Sequence, residues 1–295
     1  MMRRSEPRGT RPSEPRGRAG AHRRARERGV VVPLYALVRF LLTPALRLWF
    51  RVRISGREHV PAHGAAIIAP NHKSFLDAFF VGIATRRHVR YMAKAELFKG
   101  PSGWLLLRLG AFPVLRGEAD AEALETARLI LEQGGVLVVF PEGTRVEDPH
   151  ALGAPHHGAG RLALMTGAPI VPAAIAGTQR LWLGPLPKPR RVQVAFLAAI
   201  DPARVADHAD ALSELVDHEL WPAVQREYGR ELARPGLILA ALAAIGLGGG
   251  LLARRRARAE THLLGIVEPL KLRRRKSRKR ALARLRRLRA PRGGG

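Results

Sequence analysis

Ala65-Ala66-Ile67-Ile68-Ala69-Pro70-Asn71-His72-Lys73-Ser74-Phe75-Leu76-Asp77 is the stretch from which the rest of the chain can be read. Small and apolar residues run into Pro70, His72 and Asp77 follow five apart, and an apolar run resumes through Phe79, Phe80 and Val81. A short β run that stops at a proline and restarts with helical spacing is a strand-to-helix junction. Ser74 and Asp77 form an S-x-x-D capping pair, which predicts a helix from Phe75. Inside a continuous helix, residues five apart point roughly 140° away from each other and would not meet. Placed just ahead of the cap, His72 can fold back over the first turn. Asp77 then holds one ring nitrogen and the other can accept a proton. Taken alone, the spacing equally suits a capping aspartate beside an ordinary loop histidine.

Strands and helices alternate on either side of this junction. Upstream, Arg51 to Ser55 alternates as a strand. Downstream come a strand at Val89 to Ala93, a loop that opens with Lys94, a helical run from Trp104 to Leu109, and the segment Gly110 to Gly117. Glu118 to Gln133 is amphipathic, with Glu118 and Asp120 in its first turn, Leu124, Ala127 and Leu131 on one face, and Gly134 as its cap. Val136 to Phe140 is continuously apolar, which places it centrally in a sheet, and it runs into Pro141-Glu142-Gly143-Thr144-Arg145. Arg161 to Thr166 is a short helix, Pro169 to Ile175 a buried strand, and Val192 to Phe196 an alternating strand that closes the sheet. A helical segment from Ala206 to Leu232 breaks at Pro222. The expected fold is α/β, a mixed sheet flanked by helices over residues 51–234. Its site lies at the carboxyl ends of the strands, where the His72 and Glu142 loops both fall.

Charge is distributed unevenly over the 295 residues. The net charge is +27, but residues 1–28 carry ten Arg against three Glu, and residues 254–295 carry seventeen Lys and Arg against two Glu. Only +5 remains for residues 29–253. Arg-rich tails without interleaved aromatics suit polyanions, either anionic lipid head groups or nucleic acid. Residues 1–29 read as a disordered basic tail. Residues 30–50, broken by Pro33, Arg39, Pro44 and Arg47, read as a pair of membrane-interface helices with both arginines snorkelling; a helix packed on the domain is the alternative. Residues 235–253 carry no charge and are just long enough to cross a bilayer, and residues 254–295 form a basic extension. No cleavable signal peptide is read at the N-terminus. With no cysteine, disulfides and a cysteinyl intermediate are excluded. His150, His156 and His157 lie in a Pro/Gly loop and read as surface histidines, so no metal site is expected.

Four ordered blocks now line up: Asn71 to Asp77, Gly110 to Arg116, Phe140 to Arg145, and Val171 to Ile175. Together they resemble the glycerolipid acyltransferase family, which includes lysophosphatidate acyltransferases, over about residues 30–230. The second block is looser, with Pro113 and Leu115 at variable positions. The resemblance implies an O-acyltransferase in which His72 removes the proton of a glycerol hydroxyl and Asp77 orients the imidazole. The alkoxide then attacks an acyl thioester without a covalent enzyme intermediate. Asn71, Arg116, Glu142, Gly143, Thr144, Arg145 and, more weakly, Lys94 would bind the acceptor, a lysophospholipid such as 1-acylglycerol-3-phosphate. No cofactor is implied beyond the acyl donor, coenzyme A or acyl carrier protein. The expected setting is the cytoplasmic face of the cell membrane with anionic lipids as partners. There, a re-entrant 235–253 segment would keep the basic tail cytosolic. Other lysolipid or lipid-linked acceptors are the near alternative. A non-catalytic membrane or nucleic-acid binder is the distant one, and it leaves residues 65–175 unexplained.

Overall fold

Runs of small and β-branched residues without charge build the middle of the sheet. β2 (Ala66–Pro70), β5 (Val136–Val138) and β6 (Ile170–Ala176) are buried at every position, and strands buried on both faces require helices on both faces. The computed structural model, which describes residues 17–115, 120–183 and 186–233, shows those two layers. Ile67 and Ala69 of β2 point into one core with α1 (Arg18–Glu27), α5 (Ala121–Glu132) and α6 (Gly158–Thr166). Ala66 and Ile68 point into the other, with α2 (Val32–Phe50) and α3 (Asp77–Ala84). The period-two alternation of one strand thus serves two cores.

The sheet has seven strands in the order β1 (Arg53–Ser55), β9 (Gln193–Phe196), β6, β2, β5, β3 (Val89–Lys94), β4 (Ala111–Val114). Every neighbouring pair is parallel except β6 with β9. Between them, β7 (Trp182–Leu183) and β8 (Leu186–Pro187) form a separate two-stranded pair. The mixed sheet flanked by helices is the architecture expected from the sequence. β5 lies between β2 and β3, as its continuous apolar run requires.

Several local expectations are corrected. β9 does not close the sheet: β1 pairs outside it, with Ile54 opposite Val194. Gly110 to Arg116 hides a strand, β4, that sequence reading left unassigned. The helix after the first motif starts at Asp77, two residues later than the cap predicted, because Ser74 Oγ accepts only from Leu76 N (3.3 Å). Asp120 is not in the first turn of α5 but caps it, accepting from Ala123 N at 3.1 Å. Pro222 does not break its helix. The segment is helical from 211 to 233 and widens into a π-helix at Glu214–Leu220, just where the proline ring would collide with a preceding carbonyl.

The N-terminal region departs most. Part of the expected disordered tail is a helix, α1, docked through polar contacts. Arg18 pairs with Asp120 with both side chains 6% exposed, and His22 Nδ1 meets Thr126 Oγ1 at 2.9 Å. Residues 30–50 form one helix, α2, not a pair; Pro44 is accommodated inside it. Arg39 does not snorkel, since its guanidinium donates to the Thr85 carbonyl at the end of α3. Phe50 of α2 packs edge-on against Phe80 of α3, with centroids 5.2 Å apart, an aromatic contact of about 0.5–1.5 kcal/mol beyond area burial. The opposite face of α2 stays apolar and exposed: Leu37, Phe40, Leu41 and Leu48. By length and composition α2 could cross a membrane, but Tyr35, Leu46 and Phe50 tie it to the domain. The segments 1–16, 116–119 and 234–295 lie outside the described residues. With them lie the expectations for Arg116, the 235–253 segment and the basic extension.

Candidate active site

Parallel pairing of β2 with β5, Ile68 opposite Val138, brings the 71–77 and 140–145 loops out side by side at the carboxyl edge. Asn71 continues β2 by imitating a peptide group. Its amide donates to the Ile175 carbonyl (3.0 Å) and its oxygen accepts from Ile175 N (2.7 Å). Fully buried and doubly bonded to β6, Asn71 fixes where the loop begins. It is not free to bind substrate.

His72 follows, 8% exposed, with its ring stacked on Phe140 at 4.1 Å and 26°. Its Nδ1–H donates to Asp77 Oδ2 at 3.0 Å, leaving Nε2 as the ring nitrogen with a free lone pair. Asp77 is fully buried, and the same Oδ2 accepts from Lys73 N (2.6 Å) and Ser74 N (2.7 Å). The carboxylate thus gathers two backbone N–H groups of the loop before α3 and orients the imidazole at once, while no side chain caps the helix itself. Of the two readings that the sequence left open, the contact between Asp77 and His72 is the one present, and the capping role is not.

An asparagine at position 77 could keep its oxygen toward the three donors and lose only the charge that stabilises an imidazolium. Asp77→Asn should therefore stay folded, with turnover down about 10²–10⁴-fold. Turnover and thermal unfolding of the purified variant test this, and near-normal turnover would remove the charge from the mechanism.

Glu142 is placed differently from its expected role. Its Oε2 accepts from His72 N and its Oε1 from Gly153 N at 2.8 Å, with the side chain 4% exposed. Burial pushes its carboxyl above the ordinary range, partly offset by those two N–H donors. Glu142 is therefore a positioning residue that holds the backbone of the histidine. Gly143 has φ 65, and a Cβ there would lie 2.9 Å from the His156 ring, so its place follows from backbone geometry.

Sequence reading missed Lys73 and Tyr228. Lys73 Nζ donates to the carbonyls of Asp148 (2.7 Å) and Ala151 and lies 5.6 Å from the Tyr228 ring centroid, while Tyr228 Oη donates to Pro149 O at 2.7 Å. Burial lowers the lysine's pKa, and Glu142, Asp148 and Asp77 oppose that shift. Together they lash the 146–153 loop behind His72, whose carbonyl accepts from Val146 N (3.0 Å). No local signal marks these contacts, since the partners lie far apart in the chain.

His72, Lys94 and Arg145 line one cavity of about 250 Å³. Its remaining walls are mostly apolar, from Val38 and Leu42 of α2, Phe79 of α3, and Leu106 and Leu109 around the end of α4 (Gly100–Arg108). Arg145 is exposed, and among the described residues Lys94 has a solvent-screened surface pair with Glu96 (3.2 Å). Thr144 is also exposed beside Arg145. The geometry therefore presents a charge-oriented histidine base next to an apolar pocket with two exposed cations on its wall.

Residues 51–176 match the family model described as Acyltransferase. The chain is 34% identical over 128 residues to the 1-acyl-sn-glycerol-3-phosphate acyltransferase of Bacillus subtilis, covering 43% of this chain and 63% of that one. It is 28% identical to 1-acyl-sn-glycerol-3-phosphate acyltransferase alpha of Mus musculus, covering 71% of this chain and 75% of that one. The chain spans less than two thirds of the length of the Bacillus subtilis relative, and 38% of a chloroplastic one from Arabidopsis thaliana. Its fold is similar to the crystal structure of the 1-acyl-sn-glycerophosphate acyltransferase PlsC from Thermotoga maritima. The TM-score is 0.53 at 25% identity, over 66% of this chain and 81% of that one. Through residues 51–176, the domain that carries the His72–Asp77 pair, the chain is similar to the glycerolipid acyltransferases.

Proposed function

We propose that this protein transfers an acyl chain from a thioester to the free hydroxyl of a lysophospholipid, with 1-acylglycerol-3-phosphate as acceptor and phosphatidate as product. The observation that carries this reading is His72, held by Asp77 through Nδ1, lining an apolar cavity that also has Lys94 and Arg145 on its wall. Nε2 takes the hydroxyl proton as the oxygen attacks the thioester carbonyl. The thiolate leaves and recovers that proton from the imidazolium, so the enzyme ends as it began. The substrate hydroxyl stands where a serine would stand in a triad, and Asp77 compensates the transient positive charge. The apolar walls suit an acyl chain, and the two cations suit an acceptor phosphate. Coenzyme A and acyl carrier protein are both admissible donors in this reading.

The membrane is the proposed setting. The exposed apolar face of α2, together with exposed Phe75 just ahead of α3, which lines the cavity, would rest in the bilayer interface. In this reading the protein works on the cytoplasmic face, where thioester donors are available. Purified protein assayed against a panel of lysolipid acceptors, with each donor in turn, tests the assignment. Transfer to none of them would overturn it.

Arg145→Ala should raise the acceptor's KM about tenfold or more, and the donor's far less, because one charge-assisted phosphate contact is lost. Equal effects on the two substrates, or none, would take Arg145 off the phosphate.

A further inference from the structure

Three guanidinium groups, those of Arg24, Arg28 and Arg108, gather where the ends of α1 and α4 meet, and a fourth, Arg90, is bonded to the backbone of both segments. Arg24 and Arg28 lie one turn apart at the end of α1, and Arg28 N donates to Arg24 O. The carbonyl of Arg108, at the end of α4, accepts from Val31 N at 2.9 Å, just beyond α1. Arg90, 9% exposed, reaches in from β3 to the carbonyls of Ala25 and Gly110. Burial lowers Arg90 to about 10, so it remains charged at neutral pH. Among the described residues no carboxylate pairs with any of the four. Of the nearby acids, Asp120 is taken by Arg18 and Glu122 by Arg18 and Arg26, while Glu27, in the last turn of α1, pairs with none of the four.

Helix C-termini favour a cation, but that accounts for about one arginine at each end, not for four. Arg24 Nε is buried without any hydrogen-bond partner. The crowding is felt electrostatically too: burial first, then Arg108 and Arg28, lower the pKa of Arg24. Arg24, Arg28 and Arg108, without a carboxylate partner among the described residues, suit an anion.

The surface beside it says which anion. The Arg108 guanidinium lies 3.7 Å over the Trp104 ring, and Trp104 is 52% exposed, with Leu105 partly exposed next to it. A half-exposed tryptophan carrying a stacked arginine suits the boundary between lipid tails and head groups. Leu106, on the same helix, lines the cavity with Val38 and Leu42 of α2, so the two helices border one pocket. We propose that Arg24, Arg28 and Arg108, flanked by Trp104 and Leu105, form a docking site for the phosphate of an anionic phospholipid in a bilayer. The site builds on the membrane reading above and is separate from the acceptor cations Lys94 and Arg145. It would set the cavity mouth against the lipid surface from which the acceptor is drawn.

The chain has no cysteine, so Leu105→Cys carries a single environment-sensitive fluorophore in the full-length protein. The probes are vesicles of phosphatidylcholine alone and of phosphatidylcholine mixed with phosphatidylglycerol. The mixed vesicles should shift the fluorophore toward an apolar environment far more than the neutral ones. Arg24→Gln/Arg28→Gln/Arg108→Gln should raise the lipid concentration for half-maximal shift about tenfold or more. A control, Arg161→Gln/Arg204→Gln/Arg226→Gln, removes equal charge from exposed positions and should change it far less. The basic tails can hold either variant to vesicles, but only contact at α4 moves this label. An unchanged shift in the cluster variant, an equal loss in the control, or displacement of the signal by inorganic phosphate overturns the site. If neither vesicle shifts the wild-type label, the site falls; if in addition neither vesicle co-sediments the wild-type protein, the membrane reading falls with it. Acyl transfer in detergent micelles, measured on the same variants, stays near wild type, and that separates this result from the catalytic reading.

Discussion

His72→Ala is expected to lower acyl transfer about 10²–10⁴-fold, the range that a positioned general base contributes. The protein should remain folded. The contacts that shape the 71–77 loop belong to the backbone of His72 and survive the substitution: its N–H still meets Glu142 and its carbonyl still accepts from Val146. Asp77 loses one donor of three and keeps Lys73 N and Ser74 N. The missing ring leaves space beside an existing cavity of about 250 Å³, so packing against Phe140 is lost but no isolated void forms. Thiol release from the acyl donor reports the rate, and thermal unfolding reports the fold. A folded His72→Ala protein with near-normal turnover would eliminate the base mechanism outright. A variant that fails to fold would instead point to His72→Gln, which keeps much of the volume and lacks the base.

The sequence made the frame of this site legible because its signals are local. A strand that ends at Pro70, a helix that begins at Asp77 and a histidine between them lie within a dozen residues, and their geometry follows from chain stiffness. The carboxyl-edge placement followed as well, since alternating apolar strands and helices admit few topologies. What stayed hidden depends on contacts between distant residues. Asn71 was expected to face substrate, but its partner is Ile175, 104 residues away. Arg39 was expected to snorkel, but the end of α3 offers its carbonyl. Composition made residues 18–27 look disordered, and partners far along the chain, on α5 about a hundred residues later and on β3 and β4, give that polar helix a surface. No pattern within a polar, Arg-rich stretch reports such a partner.

Glu142→Gln should lower turnover about 10–100-fold with little change in the acceptor's KM, because the residue positions His72 and does not touch substrate. The replacement is isosteric, so the argument rests on hydrogen-bond polarity. The carboxylate presents two acceptors to two buried donors, His72 N–H and Gly153 N–H. A carboxamide has one acceptor and one donor group, so in either orientation an NH₂ is forced against a backbone N–H. The loop must move to relieve that clash, and about 1 Å of displacement at a catalytic group can cost about 10²-fold. A direct role in holding the acceptor phosphate predicts the opposite split, a raised acceptor KM with turnover nearly kept. Stability should also acquire a diagnostic pH dependence. Burial raises the Glu142 pKa above its ordinary value, so the group's stabilising contribution is full below that value and is lost as pH rises through the folded-state value. Glutamine does not titrate. The stability of wild type relative to Glu142→Gln should therefore be highest in acid and fall as the pH rises through the carboxyl's raised value. A relative stability that grows with pH would mean the carboxylate is stabilised by its site, and the donors around it would then outweigh the cost of burying it.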